Sequence, residues 1–265
     1  MNAFLERKHI EFSLKRYGIE AMGAMAMGLF ASLIVGLILD VMGQHLQMEF
    51  LRQLGSRAMA MAGPAIGAAV AYGLKAPPLV LFASTISGMA GYEMGGPAGS
   101  FVAVVVGAEL GKAVSGETKL DILVAPITTI VAGVTTGMVM GPAVGKFMTW
   151  IGLVIMAATE LHPVPMGILV AVIVGMALTL PISSAALCIM LGLGGIAAGA
   201  ATVGCCCQMV GFAVTSYQDN GWSGLLSQGL GTSMLQIPNI VKNPYIWIPP
   251  TLSAALLGPL ATTVM

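Results

Sequence analysis

Uncharged hydrogen-bonding side chains are concentrated between residues 228 and 239. They are Gln228, Thr232, Ser233, Gln236 and Asn239. The four-residue spacing of Gln228, Thr232 and Gln236 predicts that these three lie on one face of a helix, and Asn239 follows just after a proline. Amides and hydroxyls in this arrangement suit a neutral polyhydroxylated solute better than an ion. The alternative is that they form hydrogen bonds between membrane-spanning helices.

One carboxylate, Glu93, lies within a glycine-rich interruption of an apolar run. Residues 91–99 read Gly-Tyr-Glu-Met-Gly-Gly-Pro-Ala-Gly and cannot form a regular helix throughout. Irregular backbone at membrane depth is tolerated only where it is buried in protein or lines a wet cavity. We therefore expect Glu93 and the unpaired backbone groups beside it to bind solute hydroxyls or a cation. The alternative is a solvated carboxylate at the membrane surface.

Two further pairs of polar residues are candidates. Glu160 and His162 precede a proline, and they mark either the wet end of a span or a titratable site beside a helix break. Glu109 and Lys112 are three residues apart and are expected to pair on one helical face. Asp219 begins an Asp-Asn-Gly string that predicts a turn.

Patterns typical of catalysis or metal binding are absent from the sequence. It contains no nucleophile–base arrangement, no phosphate-binding loop and no HExxH string, so we expect no enzymatic activity, no cofactor and no metal. Cys188 and the consecutive Cys205, Cys206 and Cys207 lie in apolar surroundings without zinc-ligand spacing. We interpret them as packing residues, with a thiol switch or a metal site as the alternative.

The composition excludes most soluble classes of protein. Of the 265 residues, 57 % are hydrophobic and 8 % are charged, with eleven basic residues balancing eleven acidic ones. Soluble domains carry about 25 % charged residues. A soluble enzyme, a disordered protein and a nucleic-acid-binding protein are therefore excluded. Long apolar runs without alternation, 35 glycines and few aromatic residues predict an all-α polytopic membrane protein rather than a β-barrel.

The domain organisation follows from charge and apolar runs. Residues 1–20 contain four basic side chains among apolar ones, which predicts an amphipathic helix on the cytoplasmic side of the membrane. Residues 21–265 are interpreted as one transmembrane domain with about ten transmembrane or re-entrant helical elements. Gly133, Gly137, Gly141 and Gly145 recur every four residues and predict a smooth face for close helix packing. An apolar end without a polar tail suggests a truncated carboxyl terminus.

Weak similarity between the two halves suggests an internal duplication. Leu110-Gly111 followed by a polar loop and Pro126 resembles Leu230-Gly231 followed by a polar loop and Pro250. If each half holds an odd number of crossings, the repeats are inverted, an arrangement found in many secondary transporters. Chance recurrence of glycine and proline is the alternative.

Several strings in the second half resemble one known family. They begin at Pro181 (Pro-Ile-Ser-Ser-Ala-Ala), Gly204 (Gly-Cys-Cys-Cys-Gln-Met-Val-Gly), Gln228 (Gln-Gly-Leu-Gly-Thr-Ser-Met-Leu-Gln-Ile-Pro-Asn) and Asn243 (Asn-Pro-Tyr-Ile-Trp-Ile-Pro-Pro). The chain resembles the IIC-like membrane proteins of the phosphotransferase system (PTS), a family that includes perfringolysin-regulator-type proteins. The resemblance implies a homodimer in a bacterial inner membrane, with a fixed scaffold, a moving substrate part with re-entrant hairpins, and elevator-type alternating access. It further implies soluble IIA and IIB partners. The Ile-Thr-Glu-Pro-type string of many sugar IIC proteins is absent, so no substrate residue is transferred from them.

The sequence therefore predicts a transporter of a small polar solute, such as a sugar, bound between Glu93 and residues 228–239. A membrane sensor or regulator that binds a ligand without moving it is the alternative, and a narrow channel is a third hypothesis. Glu93→Gln and Gln236→Ala are each expected to weaken solute binding.

Overall fold

The computed structural model describes residues 2–159, 162–180 and 193–264, and all regular elements in these ranges are helical. The α-helices are α1 (Asn2–Arg7), α2 (Lys15–His45), α3 (Glu49–Ala60), α4 (Ala62–Gly73), α5 (Pro78–Val114), α6 (Asp121–Thr159), α7 (Pro163–Thr179), α8 (Gly195–Thr215), α9 (Tyr217–Leu226), α10 (Ile237–Lys242) and α11 (Ile248–Val264). Helix α2 includes two short π-helical stretches. Short π-helical and 3₁₀ turns at Ser227–Gly231, Ser233–Gln236 and Pro244–Trp247 connect α9, α10 and α11.

Four helices in the described ranges are long and apolar enough to cross a membrane. They are Lys15–His45, Pro78–Val114, Asp121–Val144 and Gly195–Thr215. Large apolar side chains such as Phe82, Val139 and Val210 are more than half exposed on these helices. Such faces require lipid rather than water, which supports the prediction of an all-α membrane protein. The total of about ten elements and the elevator arrangement stay predictions.

The chain divides into two compact units, Met1–Gly145 and Lys146–Met265. In the first unit α4 packs along α5, and a Cβ atom on Gly88 would lie 2.5 Å from the carbonyl oxygen of Gly63. In the second unit α7, α8 and α11 pack against one another, and a Cβ atom on Gly175 would lie 2.7 Å from the carbonyl oxygen of Gly204. Both contacts require glycine, because any side chain would push the two backbones apart.

The glycine stripe on α6 packs against α5 in the first unit. Gly133 and Gly107 approach closely, Gly137 lies against Gly91, and a Cβ atom on Gly141 would lie 2.6 Å from the Cβ atom of Met94. The predicted smooth docking face is therefore confirmed for Gly133, Gly137 and Gly141.

The predicted interruption of the apolar run is also confirmed. Helix α5 loses helical geometry at Gly95 (φ −147°, ψ 19°) and Gly96 (φ 59°, ψ −151°). The second of these conformations is open essentially to glycine alone. Gly221 in α9 has nearly the same angles, φ 56° and ψ −152°, so each unit contains a helix interrupted in the same way.

Gly96→Ala is expected to lower the free energy of unfolding by about 1–3 kcal/mol. No atom lies within 4 Å of the position that a Cβ atom would occupy, so the cost is purely conformational. The midpoint of thermal unfolding in detergent measures it. Gly95→Ala is the matched control, because its φ is negative and its nearest neighbour, a Val144 methyl group, is 3.3 Å away. Equal losses for the two variants would contradict this explanation.

The amino-terminal segment folds back onto the loop between α5 and α6. Its helix covers only Asn2–Arg7, because the chain turns at His9, whose φ is 53°. Arg7 and Lys8 both form ion pairs with Glu117, at 2.6 and 2.7 Å, and Lys8 also donates to the carbonyl of Ser115. The helix is therefore shorter than the predicted 1–20 segment, and residues from Lys15 onward belong to α2. The cytoplasmic orientation of this segment stays a prediction.

Acidification is expected to release the amino-terminal segment. The hydrogen bond from Lys8, with the charge of Arg7 nearby, lowers the pKa of Glu117. A carboxyl group whose pKa is lowered by folding stabilises the fold above its unfolded pKa, about 4.3 for glutamate, and this stabilisation is lost as the pH falls through the folded pKa.

Pepsin cleavage near Phe4 across an acidic pH series measures this release. Cleavage should increase at low pH in the wild type and in the control Glu49→Gln, which removes an exposed carboxylate elsewhere. Glu117→Gln should be cleaved readily at every pH of the series. An identical pH profile for wild type and Glu117→Gln would refute the role of this carboxylate.

Candidate functional site

Three amide side chains form a directional hydrogen-bonded chain in the second unit. Asn239 Nδ2 donates to Gln236 Oε1 (2.8 Å), Gln236 Nε2 donates to Gln228 Oε1 (2.9 Å), and Gln228 Nε2 donates to Ser216 Oγ (3.0 Å). Gln228 and Gln236 are buried, whereas Asn239 is exposed. Hydrogen bonds arranged head to tail polarise one another, so this chain orients the polar groups at both of its ends. We call these four residues the amide chain.

The backbone that carries these amides is not one helix. Thr232 is extended (φ −155°, ψ 141°) between a π-helical turn and a 3₁₀ turn, so the prediction of a shared helical face for Gln228, Thr232 and Gln236 is wrong. The break still brings Gln228 and Gln236 into contact. The Thr232 hydroxyl instead accepts from the N–H of Met234 at 3.2 Å and caps the 3₁₀ turn.

A cavity of about 520 Å³ opens beside the amide chain. Its polar lining is Thr215, Ser216, Asp219, Asn220, Gln236 and Asn239, and its apolar lining is Phe212, Ile246 and Pro249. A volume of this order, with a few convergent polar groups and an apolar wall, is typical of small-molecule sites. Gln236, Asn239 and Ser216 thus join the chain to the cavity, and Gln228 lies behind them.

The sequence did not identify Asp219 and Asn220 as site residues, because the turn that contains them looked purely structural. A signal for Asp219 was present, since it is the only carboxylate from residue 161 to residue 265. An isolated carboxylate in so apolar a stretch is a functional candidate by default. The described structure places it in the cavity lining.

A second, buried polar network holds helices of the second unit together. Gln208 is fully buried, donates to Thr251 Oγ1 (3.2 Å) and accepts from Trp247 Nε1 (3.2 Å). Thr179 Oγ1 donates weakly to Gln208 (3.4 Å) and lies 2.8 Å from Ser233 Oγ. Ser233 is therefore one of the interhelical hydrogen-bonding groups that the sequence offered as the alternative to solute binding.

Of the other predicted residues, Glu93 and His162 are described and are not part of the cavity lining. Glu93 is an exposed residue of the first unit, immediately before the break in α5, whereas residues 228–239 belong to the second unit. His162 is exposed and directly precedes α7. Glu160 lies outside the described residues. The predicted ion pair between Glu109 and Lys112 is confirmed, with Nζ and Oε2 2.9 Å apart.

The consecutive cysteines lie on α8. Cys206 is exposed, Cys207 is buried, and both line an apolar groove of about 700 Å³ between α8 and α11. Cys205 is partly buried and packs against the core of the second unit. These surroundings agree with the interpretation of the three residues as packing groups. Cys188 lies outside the described residues.

Comparison with protein families assigns the chain. A family model described as "Phosphotransferase system, EIIC" matches residues 19–265. The chain belongs to this family. The match confirms the resemblance seen in the sequence. EIIC domains are the membrane transporter components of the phosphotransferase system and are generally not catalytic themselves. Comparisons of this EIIC chain with curated proteins and with solved structures gave no match.

Proposed function

We propose that this EIIC chain transports a small neutral polyhydroxylated solute, a sugar or sugar derivative, and that the cavity beside the amide chain binds it. The observation that carries the proposal is the run of hydrogen bonds from Asn239 through Gln236 and Gln228 to Ser216, which begins and ends at the cavity lining. The family supports transport, and the match favours it over the sensor hypothesis.

The unused hydrogen-bonding capacity of the lining fits such a solute. Within the described contacts, the Asn239 side-chain oxygen and one of its N–H groups are left for a ligand, and the Ser216 hydroxyl accepts from Gln228 and has its proton to donate. The Asp219 carboxylate accepts from hydroxyl groups. A sugar hydroxyl both donates and accepts, so these groups replace the water that the solute loses. Leaving a polar group unpaired in this apolar setting costs several kcal/mol.

The apolar lining completes the binding surface. Phe212 is buried, and Phe212, Ile246 and Pro249 all line the cavity. A sugar ring has an apolar C–H face as well as a polar edge, so an apolar wall combined with convergent amides orients it. We also propose that Glu93, Glu160 and His162 take part in solute binding, as the sequence predicts.

Transport itself is proposed to follow alternating access. One bundle of a homodimer in a bacterial inner membrane moves the solute against a fixed scaffold, with the amino terminus in the cytoplasm. Separate IIA and IIB proteins phosphorylate the solute at the cytoplasmic mouth. Membership of the EIIC family supports the proposal of such partners, because IIA and IIB proteins belong to the same phosphotransferase system.

Counterflow in proteoliposomes tests the proposal. Purified protein is reconstituted into vesicles loaded with one unlabelled sugar, and entry of the same labelled sugar is followed for a panel of hexoses, hexitols and disaccharides. We expect saturable entry for at least one sugar, with weaker entry in Glu93→Gln. Binding without entry would favour the sensor, and neither binding nor entry across the panel would contradict the proposal.

A further inference from the structure

A second polar cavity lies in the first unit, apart from the proposed solute site. It has a volume of about 280 Å³ and is lined by four basic side chains and one carboxylate: Arg7, Lys8, Lys75, Lys112 and Glu117. Ser115, Gly116, His9 and Pro77 complete the lining. We call it the basic cavity. It lies between the end of α1, the loop that joins α4 to α5, and the end of α5, so it is at the end of a candidate membrane span.

Two of its cations are held in place by the fold. Lys112 is 1 % exposed, and its ammonium group donates to the carbonyls of His9 (2.9 Å) and Leu74 (3.0 Å) besides pairing with Glu109. The Lys8 side chain is 10 % exposed and is anchored on Glu117 and on the carbonyl of Ser115. These are positioned charges within the fold, unlike the mobile lysines of a protein surface.

The basic cavity has an excess of positive charge. Arg7 and Lys8 share the single carboxylate of Glu117, which leaves one positive charge unmatched. Lys75 is exposed and has no ion-pair partner among the described residues. Asp121 accepts from the N–H of Gly116 at 2.6 Å and does not line the cavity. Lysine and arginine side chains bind the oxygens of phosphate groups through charge-assisted hydrogen bonds.

We propose that the basic cavity binds the phosphate group of an anionic phospholipid. The surroundings favour a lipid, because Phe12 and Leu14, at 77 % and 73 % exposure, extend from the segment between the cavity and α2. Exposed apolar side chains beside basic ones are typical of segments that lie in the membrane interface. Basic pockets between transmembrane helices bind anionic headgroups in the same way. The lipid then ties the amino-terminal segment to the end of α5 and to the loop between α4 and α5.

Native mass spectrometry of the delipidated full-length protein, titrated with phosphatidylglycerol or phosphatidylcholine, tests this proposal. The test variant is Lys75→Gln, whose exposed, unpaired side chain is removable without disturbing the fold. The control is Lys119→Gln, which removes an exposed cation of the α5–α6 loop that does not line the cavity. We expect the wild type and the control to prefer phosphatidylglycerol, and Lys75→Gln to bind it about fivefold more weakly.

Adding excess inorganic phosphate to the lipid-bound protein distinguishes a site for any phosphate group from a site for a whole phospholipid. Displacement of the lipid would show that a phosphate group alone suffices, and persistence of the adduct would assign the cavity to the headgroup together with its acyl chains. Both results support an anion site. Equal binding of the two lipids, or equal losses in Lys75→Gln and Lys119→Gln, would overturn it.

Discussion

Gln236→Leu is expected to weaken solute binding by about tenfold to a hundredfold. Leucine keeps much of the side-chain volume but removes the donor to Gln228 Oε1 and the acceptor for Asn239 Nδ2. Gln228 is only 3 % exposed, so water does not replace the lost partner. Asn239 loses its fixed orientation at the cavity lining, because the hydrogen bond that holds its amide is gone.

Equilibrium binding of a sugar that shows counterflow in the wild type measures this effect. Ser233→Ala is the matched control, because its buried hydroxyl bonds to Thr179 and does not line the cavity. The control should lose stability and keep its affinity for the sugar. If the folded Gln236→Leu protein bound the sugar with wild-type affinity, the amide chain would not be part of the binding site.

Lys112→Met is expected to lower the free energy of unfolding by about 3–5 kcal/mol. Glu109 is 8 % exposed, and its carboxylate lies 2.9 Å from the ammonium group of Lys112. The charge of Lys112 therefore compensates for burying the carboxylate. The variant also leaves the carbonyls of His9 and Leu74 without this donor.

The double variant Glu109→Gln/Lys112→Met separates the loss of the pair from the loss of packing. Because it no longer buries an uncompensated carboxylate, it should be more stable than Lys112→Met alone. Reversible denaturation of the purified protein in mixed micelles measures Lys112→Met, Glu109→Gln and the double variant. Simple addition of the two single losses would show that the residues do not stabilise the fold as a pair.

Features set by local spacing were predictable from the sequence. The break at Gly95–Gly96 follows from a Gly-Gly-Pro string, and the Glu109–Lys112 pair follows from a three-residue spacing on a helix. The packing of Gly133, Gly137 and Gly141 on α5 follows from their four-residue repeat. In each case the residues that form the sequence pattern lie within a single helix.

Features that depend on several segments were only partly predictable. The amides of residues 228–239 were identified, but helical periodicity could not show that an extended Thr232 folds Gln236 back onto Gln228. The cavity combines residues 212–220, 236–239 and 246–249. Residue spacing along the chain does not predict contacts between segments that are so far apart in the sequence. Asp219 was missed although its isolation in an apolar stretch is a signal that the sequence contains.

The central claim is that the cavity beside the amide chain binds the transported solute. An experimental structure of the full chain in a lipid nanodisc, determined with a sugar that shows counterflow, tests this claim most directly. We expect density for the sugar in contact with Asn239, Gln236 and Asp219, with its apolar face against Phe212. Density for the sugar at another place, with this cavity empty, would contradict the claim.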